Sequence, residues 1–277
     1  MQGFGVGLRS KHYGEFLNGS PRVDWVEAIT ENFLGLGGRP LAVLEKVRSE
    51  RPVALHGVSL GLASVEPPSA SYLRAWRELI ARIEPALVSD HLCWGRAHGR
   101  SAHDLLPVPF TEEALRHVVD AIRRVQDFLK RQLVVENVSS YLQFHASELT
   151  EWEFVREVAE RADCLLLVDV NNVFVSAHNH GFDAVEYLDA LPAARVAQLH
   201  VAGHAVRGPL RIDTHEGPII DEVWALYRHA RARFGDVPTL IEWDEAVPSL
   251  PELLAEADKA RTMSPLPIGE RVRVRGP

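Results

Sequence analysis

Residues 165–172 read LLLVDVNN. Leu165 to Val168 form an unbroken apolar run that ends on Asp169. A continuous run, rather than apolar–polar alternation, fits a strand covered on both faces, as in a parallel sheet. The acid at its end is the anomaly, because a buried charge is costly unless paired or bound to a metal. Seven more runs have the same character. They are Gly3–Leu8 (GFGVGL), Val23–Thr30 (VDWVEAIT), Val53–His56 (VALH), Ala86–Leu92 (ALVSDHL), Leu133–Glu136 (LVVE), Val196–Val201 (VAQLHV) and Thr239–Trp243 (TLIEW).

Helical patterns lie between many of them. Ser71–Glu84 is apolar at Leu73, Trp76, Leu79, Ile80 and Ile83. Thr111–Arg131 opens on a capping threonine followed by Glu112 and Glu113, which suit a helix N-terminus. Thr150/Glu153 and Ser249/Glu252 read as capping boxes that open Thr150–Ala162 and a helix reaching about Arg261. Ile219–Phe234 stops at Gly235. Strand–helix alternation predicts an α/β fold with a parallel sheet. Eight strands predict a single (β/α)8 TIM-type barrel over residues 1–262. The open doubly wound alternative lacks its usual glycine-rich phosphate turn. Residues 263–277, with Arg271, Arg273 and Arg275, read as a loose Pro/Arg-rich tail.

Composition narrows the function. The chain has 277 residues, 46% hydrophobic and 25% charged, which is ordinary globular composition. No apolar run approaches the roughly 20 residues that span a bilayer, and the start lacks a signal-peptide core. Cys93 and Cys164 are the only cysteines, too few for a disulfide scaffold or a Cys-rich zinc module. A cytoplasmic location is expected. A net charge of −8 argues against nucleic-acid and membrane partners, which need a basic face.

Six runs carry a His, Asp or Glu at or near the C-terminal end: His56, His91, Glu136, Asp169, His200 and Glu242. In a barrel these ends form one face, and that face holds the active site. Asp213 and His215, two apart, add a pair that points one way on extended backbone. Imidazole with carboxylate suits Fe, Mn, Zn or Mg. The set is too large for one ion, so two or three metals sharing carboxylates is the expectation. Any one of these residues has a bland reading, as a hydrogen-bonded core histidine or a helix cap. Six at equivalent positions are not independent accidents.

Other signals are weaker. Gly57-Val58-Ser59-Leu60-Gly61 matches the nucleophile elbow G-x-S-x-G, but the elbow must enter a helix and Pro67-Pro68 follows. Cys93 reads as a small core residue before it reads as a ligand. His178-Asn179-His180-Gly181 is expected on a loop after Asp169. His204 and Glu31-Asn32 are secondary candidates. His117, His145 and His229 are expected at the surface.

At these residues the sequence resembles the multinuclear non-heme iron-dependent oxidative enzymes, the family of the methanobactin biosynthesis protein MbnB. The nearer likeness is to a UPF-type branch, parts of which act on bufferin-like peptides. The matching stretches are GVGLR (5–9), TENF (30–33), LHGV (55–58), SDHLCW (89–94), HDLLP (103–107), VENVSS (135–140), DVNNV (169–173), NHGF (179–182), HVAGH (200–204), DTH (213–215) and IEWD (241–244). The resemblance implies a TIM-type barrel holding two to three iron ions. It implies His56, His91, Glu136, Asp169, His200, Asp213, His215 and Glu242 as metal ligands, with Glu136 as a bridge. Asn137, Asn172 and His180 stand as catalytic candidates beside the metals, Asn172 at a position that also reaches a metal. The resemblance further implies O2 as co-substrate, oxidation of cysteine in a ribosomally made precursor peptide, and a small partner protein that presents the peptide. The ligand types alone also fit a hydrolytic or isomerising metallo-barrel of the endonuclease IV or sugar isomerase type, or a metal-binding protein without activity.

Overall fold

Each of the eight apolar runs forms a strand, and the eight close on themselves. The computed structural model describes residues 1–19, 21–35, 37–263 and 265. The strands are β1 (Phe4–Gly7), β2 (Trp25–Ile29), β3 (Val53–Gly57), β4 (Leu87–His91), β5 (Trp94–Ala97), β6 (Arg100–Leu106), β7 (Val134–Glu136), β8 (Leu165–Asp169), β9 (Val196–Ala202), β10 (Ala205–Arg207), β11 (Leu210–Ile212) and β12 (Thr239–Glu242). The barrel runs β1-β12-β9-β8-β7-β4-β3-β2, and every neighbouring pair is parallel. β5 with β6, and β10 with β11, form antiparallel hairpins after the C-terminal ends of β4 and β9.

The helices are α1 (Tyr13–Asn18), α2 (Arg39–Arg48), α3 (Ala70–Ile83), α4 (Glu112–Leu129), α5 (Glu151–Ala162), α6 (Val170–His180), α7 (Ala184–Ala190), α8 (Asp221–Phe234) and α9 (Leu250–Thr262). Thr111 caps α4 by accepting from Ala114 N at 3.1 Å. Both capping boxes form: the Glu153 carboxylate accepts from Thr150 N, and that of Glu252 from Ser249 N, each at 2.9 Å. No helix follows Ser59 until Ala70, so the G-x-S-x-G stretch is not an elbow. No helix among the described residues is long and apolar enough to cross a membrane. The tail arginines Arg271, Arg273 and Arg275 lie outside the described residues.

One expectation is overturned. Residues 178–180 are not a loop but the last turn of α6, which begins directly after Asp169. The physical reason is that Asp169 Oδ1 caps the helix, accepting from Asn172 N at 2.7 Å. Strand passes to helix without a connector, and the apolar run Val173–Val175 hides the change of period.

Strand alternation divides the apolar residues into two sets. Val26, Val53, Leu55 and Ile241 join the large core shared with the helices. Trp25, Ala54 and Leu240 form a separate small cluster inside the barrel. Two residues further along the same strands, on the same face, stand Glu27, His56 and Glu242. The barrel is thus plugged by apolar side chains at its N-terminal end and becomes polar towards its C-terminal end. Gly5 makes room for the plug: a Cβ there would lie 2.5 Å from Trp25 Cδ2. Gly5→Ala therefore overpacks the interior and should lower stability by about 1–3 kcal/mol, measured as a lower midpoint in urea at unchanged slope.

Candidate metal centre

Register sets the site. His91 pairs with Glu136 across β4 and β7, and Asp169 with His200 across β8 and β9. Residues far apart in sequence thus end at one level of the barrel. His56, His91, Glu136, Asp169, His200 and Glu242 are all buried.

Three side chains make a regular triangle. His56 Nε2, His91 Nε2 and Glu136 Oε2 are each 3.3 Å from the other two. Ligands about 2.1 Å from a shared ion stand about 3.0–3.4 Å apart. The far nitrogens are anchored: His91 Nδ1 faces Gly57 O at 3.1 Å, and His56 Nδ1 faces Ser89 Oγ at 2.8 Å. Because a carbonyl only accepts, His91 carries its proton on Nδ1 when neutral and turns the Nε2 lone pair into the triangle.

A second group shares Glu136. Its atoms come from Glu136, Asp169, His200 and Glu242, all within 4.8 Å of one another. His200 Nδ1 lies 3.3 Å from Glu136 Oε1 and 3.0 Å from Glu242 Oε2. A third group is His215, Glu242 and Asp244. His215 Nδ1 is 3.5 Å from Glu242 Oε2 and 3.6 Å from Asp244 Oδ2. Asp213 falls outside these groups, against the other nitrogen: Oδ1 is 2.9 Å from His215 Nε2, with Asp169 Oδ2 4.0 Å from the same nitrogen. Glu136 and Glu242 therefore each belong to two groups. The segment bearing Asp213 and His215 is held close by Gly203, where a Cβ would stand 2.3 Å from Glu216 O.

The residues fit metal ions. Glu136 Oε2, Asp169 Oδ2, His200 Nδ1, His215 Nε2 and Glu242 Oε2 are buried without a hydrogen-bond partner. A buried polar atom without a hydrogen bond costs about 1–3 kcal/mol, and these five are divided among the groups: Glu136 Oε2 faces His56 and His91, His200 Nδ1 faces Glu242 Oε2, and His215 Nε2 faces Asp213 and Asp169. Protonation shows the same conflict. Burial, helped by Asp213, pushes Asp169 up to about 8. Burial lowers the His91 pKa, but Glu136 and Asp90 outweigh it and raise it to about 9. Burial would also raise Glu242, yet His200 and His215 hold it well below the usual carboxylate range. Carboxylates this close need positive charge among them.

The remaining candidates divide. Asn137 clamps Asp169 from both sides of the peptide, donating from Nδ2 to Asp169 O at 3.1 Å and accepting from Asp169 N at 2.9 Å. Asn172 donates to Asn137 O at 3.1 Å, and its Oδ1 is buried without a partner. His180 is outside the groups; its Nε2 meets Ser140 Oγ at 2.7 Å, and burial lowers its pKa. Cys93 is buried, burial raises its thiol pKa, and it belongs to no metal-capable group among the described residues. His204 meets Asn171 Oδ1 at 2.8 Å, and burial brings its pKa down to about 4. Glu31 accepts from Tyr72 OH and Val58 N. His145 is exposed, but His117 and His229 are half-buried against Ser64 O and Asp189.

Sequence reasoning missed Glu27, Gln198 and Asp244 as parts of the site. Glu27 is buried within β2, with Oε2 2.6 Å from Gln198 Nε2 and 3.3 Å from His200 Nε2. Burial would raise its pKa, but His200 and His56 hold it down. Its signal was legible, an acid inside an apolar strand; it sits one turn of alternation deeper than the strand-end pattern. Asp244 is ion-paired with Arg9, whose Nε donates at 2.9 Å.

Fold and site together define a TIM-type barrel whose strand ends carry side chains able to hold metal ions. Within that class, the chain belongs to the family described as the RiPP precursor modification enzyme MbnB/TglH/ChrH, matched over residues 3–264; RiPPs are ribosomally made, post-translationally modified peptides. It is therefore an enzyme of precursor-peptide modification. A UPF0276 protein of Anaeromyxobacter sp. (strain Fw109-5) is 60% identical over 260 residues, covering 94% of this chain and 92% of that one. A UPF0276 protein of Acaryochloris marina (strain MBIC 11017) is 49% identical over 262 residues, covering 95% of each. Among solved structures, an L-ribulose 3-epimerase superposes with a TM-score of 0.63 at 14% identity, covering 94% of this chain and 96% of that one. A D-psicose 3-epimerase of Clostridium cellulolyticum H10 gives 0.56 at 10% identity, covering 94% and 95%. At these identities the likeness is one of fold alone.

Glu27→Gln removes the buried carboxylate that accepts from Gln198 Nε2 and lies 3.3 Å from His200 Nε2. It should leave the fold intact and weaken metal binding by about 10–100-fold, read by competition with a chelator of known affinity.

Proposed function

We propose that the protein is a multinuclear iron oxidase that uses O2 to modify cysteine residues of a ribosomally made precursor peptide, with a small partner protein presenting the peptide. The observation that carries this reading is the shared carboxylate of Glu136, whose Oε2 faces His56 and His91 and whose Oε1 faces His200, within two groups of buried ligand atoms. Family membership supplies the peptide substrate. Imidazole and carboxylate ligands suit iron.

His56, His91 and Glu136 would hold one ion, and Glu136, Asp169, His200 and Glu242 a second. His215 would complete a third with Asp213 and Asp169 on its Nε2 side. Asp244 then takes the His215 Nδ1 proton rather than a metal, because the Arg9 guanidinium already offsets its charge. When bound, two to three iron ions supply the oxidising chemistry with O2. The chain's own part is geometric. Asn137 fixes the end of β8, so that Asp169 Oδ2 keeps its aim while Oδ1 caps α6. Glu27 and Gln198 fix the His200 ring from below. Asn172 Oδ1 offers a further acceptor at the same level. The thiol being oxidised is the peptide's: Cys93 is buried with its proton held, so it is not a competing nucleophile. The ligand types also suit the hydrolytic or isomerising reading, and the epimerases share the fold, but family membership favours a peptide substrate over a sugar.

Co-expression with a cysteine-containing precursor peptide and its partner, under aerobic iron-replete conditions, should give a mass change that tandem mass spectrometry localises to cysteine. Glu136→Gln should abolish it. An unmodified peptide beside iron-loaded enzyme and partner would overturn the oxidase reading.

A further inference from the structure

Beyond the metal centre, a cavity of about 300 Å³ lies beneath the segment that follows β7. Phe110, Phe144, Trp152 and Phe182 supply aromatic walls, and Glu151 supplies a carboxyl. The aromatic wall is braced from behind. Trp152 packs on Phe182 at 5.3 Å between ring centroids, and Tyr187 stacks on Phe182 at 6.1 Å. Tyr187 OH donates to Glu151 Oε1 at 3.1 Å. No Lys or Arg lines the cavity, and burial lowers the pKa of His180, which does. The carboxyl therefore has no cation of its own, and burial pushes its pKa up to about 7 against the Tyr187 hydrogen bond.

The cavity adjoins the site already described. A narrow recess sharing Ser140 and Glu151 with it reaches Asn137, the residue that clamps Asp169. Ser139, next in sequence to Ser140, lies 3.4 Å from Asp213 Oδ2.

We propose that this cavity is a specificity pocket for one basic side chain of the precursor peptide, arginine by preference, seated between the aromatic rings with its charge on Glu151. The proposal rests on the peptide-modifying reading above. A planar guanidinium stacks on aromatic faces and pairs with a carboxylate in the same pose, whereas a neutral side chain of equal size gains only the stacking. The cation would also restore the charge that burial denies to Glu151. The net charge of −8 favours a basic ligand at long range. The pocket would hold the substrate beside the metal groups, and so fix which cysteine reaches the metals.

The test uses the full chain and two small probes. N-acetyl-arginine amide is titrated against its neutral isostere, N-acetyl-citrulline amide, at pH 8, following the six indole N–H signals of the ¹⁵N-labelled protein. The Trp152 signal, assigned by Trp152→Phe, should move with the arginine probe. The citrulline probe should bind at least about tenfold more weakly, and Glu151→Gln should remove that difference. Glu151→Gln keeps an acceptor for Tyr187. Glu151 is penalised as pH rises from the usual carboxylate range through about 7, so the variant should be no less stable than the parent at pH 8. Equal binding of the two probes to the unaltered protein, or no movement of the Trp152 signal, would overturn the proposal even if the variant failed to fold. Arginine selectivity without precursor modification would count against the oxidase alone. Modification that persists unchanged when every basic residue of the precursor is replaced would count against the pocket alone.

Discussion

The pairing register of the parallel strands is the constraint on which the site depends. His91 stands opposite Glu136, and Asp169 opposite His200. A slip of one residue in any of these strands would turn its ligand outwards into the helix layer and an apolar side chain inwards. The apolar runs prevent that slip. Their outward residues are buried against helices, and their inward residues at the other end fill the barrel as Trp25, Ala54 and Leu240 do. The same packing that stabilises the barrel thus fixes where the imidazoles and carboxylates meet.

That meeting is electrostatically unfavourable in the protein alone. Asp169, Glu136 and Glu242 crowd within 4.8 Å of His200, and Asp169 is held protonated up to about 8. Histidines take up part of the negative charge, and Arg9 takes up that of Asp244. What is left is a set of buried oxygens and nitrogens that hydrogen bonds do not satisfy. Stability has been given up at one end of the barrel for a site that metal ions would complete. The supporting residues show the same economy of position. Asp169 uses one oxygen to start a helix and turns the other to the site, and Glu136 turns one oxygen to each of two groups.

Much of this was legible in the sequence because both signals are local. Continuous apolar runs marked all eight barrel strands, and Thr150 with Glu153 marked a helix start to the residue. What escaped had a physical reason in each case. α6 follows β8 with no connector, so the stretch after Asp169 that carries residues 178–181 read as loop. α2 is short and begins beside Gly38 and Pro40, which punctuate rather than announce a helix. Glu27 belongs to a deeper level of the barrel than the strand ends, and its partner His200 is far away in sequence. Asp244 is in plain view in IEWD, but its pairing with Arg9 joins the two ends of the chain. The aromatic cavity around Glu151 is assembled from three separate connections, and no single stretch foretells it.

The central claim is that the convergent imidazoles and carboxylates hold iron. Elemental analysis of anaerobically purified protein, with Mössbauer spectroscopy on an iron-57 sample, tests it most directly. The account predicts two to three irons per chain, part ferrous and part ferric. Zinc or manganese at that stoichiometry, or no metal even after reconstitution, would contradict it.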